Sequence, residues 1–230
     1  MENRALAIIT ARGGSKRIPR KNIKLFSGFP IIKYSIDAAL NSGCFDEVMV
    51  STDDNEIAEI AVKFGAIVPF YRSPETSNDH AMTADVIREV LIEYRKRNTF
   101  FNYACCIYPT APFISSDKIK RGYEYLLDSD ADSAVPVVRF SYPIQRALKI
   151  ENGLLEMIWP ENLNKRSQDL IPAYHDSGQF YWLKVDSFLK HGLLFNEKTV
   201  PIEIPESEVQ DIDNEEDWKI AEMKYQILNK

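Results

Sequence analysis

Ala7-Ile8-Ile9-Thr10-Ala11-Arg12-Gly13-Gly14-Ser15-Lys16-Arg17-Ile18-Pro19-Arg20-Lys21-Asn22 passes from an apolar run straight into glycine, serine and five cations. The apolar part reads as a buried strand, and the rest as a loop at its carboxyl end. Glycine lets backbone amides approach an anion, while Arg12, Lys16, Arg17, Arg20 and Lys21 can offset several negative charges, so the loop suits a polyphosphate such as a nucleoside triphosphate. It is neither a Walker loop nor a dinucleotide fingerprint, because G-x-x-x-x-G-K-S/T and G-x-G-x-x-G are both missing. A solvated basic turn is the alternative; the density of cations directly after a buried-looking strand favours the ligand.

Working outward, apolar runs alternate with amphipathic stretches through the first 140 residues. Strands are expected at Ala5–Thr10, Glu47–Ser51, Ala66–Phe70, Tyr103–Tyr108 and Ala134–Arg139. Helices are expected at Ile31–Asn41, Glu56–Phe64, Ala84–Arg97 and Asp117–Leu127. This alternation predicts an α/β fold, with a mostly parallel central sheet flanked by helices, in one domain spanning 1–230. Pro30 stands ahead of the first helix, Gly43 and Gly65 follow helices as C-caps, and Asp53 and Asp54 are natural N-caps.

Past residue 140 the alternation fails. Ala147–Ile158 is two short runs joined by Asn152-Gly153, a strong hairpin signal, and predicts an arm over about 141–171. Such a hairpin is not stable alone, so it either packs on a second subunit or folds back on its own sheet. Strands at Gln179–Val185 and Thr199–Ile204 and a helix at Glu215–Leu228 complete the expectation.

The net charge of -6 argues against a general nucleic-acid binder, since the cations gather in one segment. Three cysteines, two of them adjacent at Cys105 and Cys106, give neither a disulfide framework nor a metal-ligand spacing. No export-type leader and no stretch of about 18 apolar residues stands out, so the expectation is a cytoplasmic protein without a membrane partner.

Four more segments carry polar groups where strands should end. Arg72-Ser73-Pro74-Glu75 with Asp79-His80-Ala81-Met82-Thr83 either lines a base pocket or is an ordinary loop with Thr83 as N-cap. Tyr108-Pro109-Thr110-Ala111-Pro112-Phe113 is stiffened by prolines and suits the presentation of Tyr108 or Thr110 to a substrate. Lys165–Asp169 with Tyr174–Tyr181 offers a guanidinium, an amide and aromatics, a mix fitted to a carboxylated sugar or to a hairpin base. In Asp211-Ile212-Asp213 the two carboxylates face one side of an extended segment and repel unless a cation sits between them, which suits Mg²⁺; otherwise Asp213 caps the last helix.

Arg12–Asn22, Pro109-Thr110-Ala111-Pro112 and Asp211-Ile212-Asp213, in that order, resemble the sugar-acid cytidylyltransferases that make CMP-sialic acids, along nearly the whole chain. The resemblance implies a Rossmann-like nucleotidyltransferase fold whose hairpin is a dimerisation arm, giving a homodimer. It implies that CTP is held along Ala11, Arg12, Gly13, Gly14, Ser15, Lys16, Lys21 and Asn22, with Arg72, Ala81 and Thr83 at the cytosine end. It implies Mg²⁺ on Asp211 and Asp213, with Arg12, Lys16 and Lys21 sharing in catalysis. The acceptor, a nine-carbon sugar acid, is implied to meet Tyr108, Thr110, Arg166, Gln168, Ser177, Gln179 and Tyr181. Two departures stand out: Tyr108 replaces the family's usual Gln before the Pro-Thr motif, and Ser177-Gly178 replaces Asn-Gly. Both look most like the branch that acts on pseudaminic acid, where loss of hydroxyls and gain of acylamino groups make an aromatic phenol reasonable. N-acetylneuraminic, legionaminic or 3-deoxy-manno-octulosonic acid are the other acceptors in view. A non-catalytic nucleotide binder is the other class, though it would have no use for the acidic pair.

Overall fold

The computed structural model describes residues 3–229; Met1, Glu2 and Lys230, the ends of the expected domain, lie outside the described residues. The elements are β1 (Ala5–Thr10), the small pair β2 (Leu25–Phe26) and β3 (Phe29–Pro30), α1 (Ile32–Ser42), β4 (Glu47–Ser51), α2 (Asn55–Lys63), short α3 (Pro74–Ser77) and α4 (Thr83–Lys96). There follow β5 (Tyr103–Ile107), α5 (Ser116–Leu127), β6 (Ser133–Arg139), β7 (Leu148–Glu151), β8 (Leu154–Met157), β9 (Tyr174–Asp176), β10 (Phe180–Lys184), α6 (Val185–His191), β11 (Thr199–Glu203) and α7 (Glu215–Leu228).

The continuous apolar run of β1 reflects burial on both faces. Ala5, Ala7 and Ile9 join a core with residues of α1, α2 and α5, while Leu6 and Ile8 join a second core with residues of α4 and α6. The main sheet runs β11-β6-β10-β5-β1-β4, with β9 also on β6. β1 is parallel to β4 and β5, and β11 to β6. β10, however, runs antiparallel to both β5 and β6, and β9 is antiparallel to β6. The sheet is therefore mixed rather than mostly parallel: the late strand β10 is threaded between two earlier ones. Trp182 fixes it there, stacked between Phe45 at 4.9 Å and Tyr123 at 4.6 Å, its indole N–H donating to the Ile119 carbonyl at 2.9 Å. Gly122 of α5 makes room for it, since a Cβ there would lie 2.9 Å from the Trp182 ring.

Other boundaries also differ from expectation. Ala66–Phe70 makes only a single bridge, Ile67 to Met49, because the chain bends at residues 69–70 instead of extending the edge. Asn214, not Asp213, caps α7, accepting from Glu216 N at 2.8 Å and Asp217 N at 3.1 Å; this leaves Asp213 free for the site. Met82 is the N-cap residue of α4, and Thr83 is its first helical residue. Asp54 caps α2 as expected, but Asp53 serves another partner described below.

β7 and β8 form the expected hairpin, with Asn152 and Gly153 at φ 52° and 79°, the left-handed pair of a tight turn. Pairing Leu148 with Met157 and Ile150 with Leu155 puts these four side chains on one face, and Ile150 is 77% exposed. Lys149 pairs with Glu156 at 3.3 Å on the other face. The hairpin leaves the body from a stem in which Arg139 of β6 faces Tyr174 of β9. No helix among the described residues is long and apolar enough to cross a membrane. Cys44, Cys105 and Cys106 are free, the last two fully buried as core residues.

Candidate active site

The chain moves from β1 to β4 on one side and later returns to β5 on the other, so the sheet order reverses at β1. A crevice opens outside strand ends at such a switch point. Here it is a cavity of about 410 Å³ at the ends of β1 and β5, lined by Thr10, Arg12, Ser15, Lys16, Arg17, Lys21, Asn22 and Tyr108-Pro109-Thr110 among others. A smaller recess of about 150 Å³ shares Thr10 and Arg12 and is bounded by Arg72, Ala81 and Thr83. The basic loop, the base-side trio and Tyr108 with Thr110 thus meet at one edge.

The loop is held by its own backbone partners. Ala11 N–H donates to the Ser51 carbonyl at 3.0 Å, and Gly13 N–H donates to the Asp53 carboxylate at 2.8 Å. A Cβ on Gly13 would stand 2.8 Å from Asp54 Oδ2, so glycine is required by close packing, whereas Gly14 faces open space. Asn22, buried, donates to the Arg12 carbonyl at 2.8 Å and closes the loop on itself. Arg20, with φ 55°, turns away to Asp54 and Glu56 and is not a cleft residue. Arg17 remains in the cleft, 2.7 Å from Asp213.

The acidic pair reaches the loop through its apolar middle residue. Ile212 shares a buried cluster with Ile18, Phe26 and Trp218, so the residues that alternate with it, Asp211 and Asp213, are presented together on the other side. Lys21 Nζ donates to the Ile212 carbonyl at 2.7 Å. Burial lowers the Lys21 pKa, with Asp213 and Asp211 opposing that shift, while burial and then the charge of Asp213 raise the Asp211 pKa. Repulsion between these carboxylates is the condition a divalent cation would relieve. Among the described residues no group of three or more His, Cys, Asp or Glu is placed to hold a metal ion, so this segment offers two carboxylates, a donor set that suits Mg²⁺ only with phosphate and water completing its shell.

Arg72 is buried, its guanidinium donating to the Ser51 hydroxyl at 3.0 Å and the Ser51 carbonyl at 2.6 Å; burial brings its pKa down to about 10. Thr83 and Tyr108 share a hydroxyl–hydroxyl bond of 3.1 Å, and the Tyr108 ring lies 5.6 Å from that of Tyr181. Tyr181 in turn donates to Asp176, and burial raises both phenols' pKa values. Gln179 donates its amide to the Glu208 carbonyl at 2.7 Å, leaving its own side-chain oxygen and the Ser177 hydroxyl buried without partners. Buried acceptors of that kind call for a donor. Arg166 and Gln168 are not brought to this cleft: both are exposed on the returning limb of the arm, where Arg166 pairs with Asp169 at 2.8 and 3.1 Å. Sequence reasoning missed the service of Asp53, the carbonyl of Ile212 and the pairing of Asp79 with the loop; the Ile212 carbonyl is a backbone group with no residue-type signature, and the Asp53 carboxylate, read as a helix cap, accepts a loop amide instead.

Residues 6–191 match the profile of a family described as Cytidylyltransferase, and the chain belongs to that family. It is an enzyme of the nucleotidyltransferase class. Among its relatives is the pseudaminic acid cytidylyltransferase of Campylobacter jejuni, 41% identical over 223 residues and 96% of each chain. The CMP-N,N'-diacetyllegionaminic acid synthase of Legionella pneumophila is 30% identical over 95% of each chain. Among solved structures, a CMP:2-keto-3-deoxy-manno-octonic acid synthetase complexed with CTP superposes with a TM-score of 0.70 over 98% of this chain and 99% of that one; at 17% identity this speaks for the fold.

Proposed function

We propose that this protein transfers CMP from CTP to the anomeric hydroxyl of pseudaminic acid, releasing diphosphate. The observation that carries the reading is the meeting of the loop cations with Asp211 and Asp213, fixed by the packing of Ile212 on Ile18 and by the Lys21 bond to the Ile212 carbonyl. The hydroxyl oxygen forms a bond to the α-phosphorus in line with the breaking bond to the diphosphate oxygen, and the hydroxyl proton leaves to solvent. Arg12, Lys16 and Lys21 offset the charge that grows on the leaving diphosphate, and Gly13, Gly14, Ser15 and Asn22 shape the cradle around it. Arg72, Ala81 and Thr83 bound the recess that fits the cytosine. Asp211 and Asp213 would hold Mg²⁺, which when bound would supply positive charge against the triphosphate and favour ionisation of the attacking hydroxyl.

Tyr108, Thr110, Ser177, Gln179 and Tyr181 stand on the acceptor side. Tyr108 and Thr110 line the cavity, and Ser177, Gln179 and Tyr181 are buried, with the Gln179 carbonyl accepting the Tyr108 N–H and the Tyr181 ring beside that of Tyr108. The 41% identity to the Campylobacter jejuni enzyme supports pseudaminic acid over the other acceptors. A panel of sugar acids assayed for diphosphate release from CTP should give the highest kcat/KM with pseudaminic acid. Release with N-acetylneuraminic or legionaminic acid but not with pseudaminic acid would overturn the acceptor, and no release with any of them would overturn the reaction.

The arm is proposed to pack against a second copy of the chain. In support, Leu148, Ile150, Leu155 and Met157 share an apolar face, with the first three exposed and Met157 partly so. A dimer would also bring Arg166 and Gln168 to a cleft they do not reach within their own chain. Sedimentation equilibrium should show a dimer for the unaltered protein and a monomer for the pair of substitutions Ile150→Asp and Leu155→Asp; a monomer in both would end this part of the proposal.

A further inference from the structure

Asp79 lines the phosphate-side cavity from a segment whose neighbours Thr76, Asn78 and Ala81 line the base-side recess. It lies 2.9 Å from Arg12 Nη1 and pairs also with Lys16 Nζ, two of the cations that the proposed function assigns to the triphosphate. The turn that delivers it is built. Glu89 of α4 accepts the Ser73 N–H at 2.8 Å and pairs with the Thr76 hydroxyl, and Asn78 Oδ1 accepts the His80 N–H at 2.8 Å. Hydrogen bonding from Lys16, and then the charge and hydrogen bond of Arg12, hold the Asp79 carboxyl below its ordinary range, so it is an anion at neutral pH.

A carboxylate and a phosphate make the same demand on a guanidinium and an ammonium group. They cannot occupy the same donors at once. We infer that Asp79 is an internal competitor for the phosphate subsite, a specificity-determining residue that any ligand reaching Arg12 and Lys16 must displace. A polyphosphate, with several charges and Mg²⁺ to organise them, displaces it readily, whereas a weak anion does not. A nucleoside that fills only the recess by Arg72 and Thr83 meets no such competition. When diphosphate departs, Asp79 re-pairs with both cations and so assists product release.

The inference rests on the placement of CTP proposed above, and the test separates the two. Binding of CTP, diphosphate and cytidine to the full-length protein is measured by calorimetry without divalent metal, for the unaltered chain, Asp79→Asn, and a double Arg12→Ala/Lys16→Ala variant. Exposed pairs of this kind are individually modest, so Asp79→Asn should bind CTP and diphosphate about three- to tenfold more tightly. Cytidine should bind unchanged, and diphosphate should become a stronger product inhibitor by a similar factor. The unchanged cytidine affinity also reports that the variant is folded. CTP affinity that stays the same or falls in Asp79→Asn overturns the inference, as does a gain that cytidine shares. If the double variant binds CTP as well as the unaltered chain, the placement of CTP itself fails; if it binds CTP weakly while Asp79→Asn shows no gain, the inference about Asp79 alone fails.

Discussion

Asp211→Ala should lower diphosphate release by about 10³-fold at saturating substrates while leaving the melting temperature and most of the CTP affinity in place. Metal-assisted charge stabilisation of several kcal/mol corresponds to that factor at about 1.4 kcal/mol per tenfold. CTP affinity survives because the loop cations, not the acids, are its principal partners. The fold survives because Asp211 caps no helix, and its apolar neighbour Ile212 stays in the cluster with Ile18 and Trp218. Removing a carboxylate that another carboxylate repels even relieves a local strain on the native state. A rate within a few-fold of the unaltered enzyme would take Asp211 out of the reaction.

Lys21→Met is the second large loss, on the order of 10²- to 10³-fold in kcat/KM, as expected for one preorganised donor aimed at developing negative charge. Methionine replaces the stem without the charge, so the half-buried channel stays filled. What disappears is the donor to the Ile212 carbonyl and the cation beside Asp211 and Asp213. Burial is the main reason the Lys21 pKa lies below that of an ordinary lysine. Because the protonated form is the active one, raising the pH removes activity, and the unaltered enzyme should decline at a pH lower than a solvated lysine would set. That alkaline limb should be missing from the residual activity of Lys21→Met. A persisting limb, or a loss of less than about tenfold, would reassign the role.

The parts of the molecule that were legible in the sequence are those where one residue type has one physical use. The run into Arg12–Asn22 declared itself because cations rarely follow a buried strand without an anion to meet. Asn152-Gly153 declared itself because both residues must take the left-handed region. The position of β10 was not legible: Phe180–Lys184 reads as a strand whichever neighbours it takes, and its insertion between β5 and β6 is decided by the fit of Trp182 over Gly122. The role of Asp213 was ambiguous for a similar reason, since both Asp213 and Asn214 are good caps and only the chain path decides that Asn214 turns inward to do it. Asp79 was visible as one polar residue of a loop, but nothing in its neighbours predicts that the loop folds over Arg12 and Lys16. Arg166 and Gln168 carry a pattern that a single copy of the chain does not gather into a cleft.

The stem of the arm makes it a separable module. Phe140 N–H donates to the Ala173 carbonyl at 3.0 Å, and Arg139 faces Tyr174 across two paired strands, so the 34 residues between begin and end side by side. Neither terminus of the segment need move if its contents are exchanged, shortened or lengthened, because loop closure is already made by β6 and β9 and the entropy of further length grows only slowly. The nucleotide cradle and the apolar face of the arm therefore answer to different stretches of sequence. Change can accumulate in one without passing through the other, and a hybrid carrying a foreign arm on this stem keeps the geometry of its nucleotide cradle.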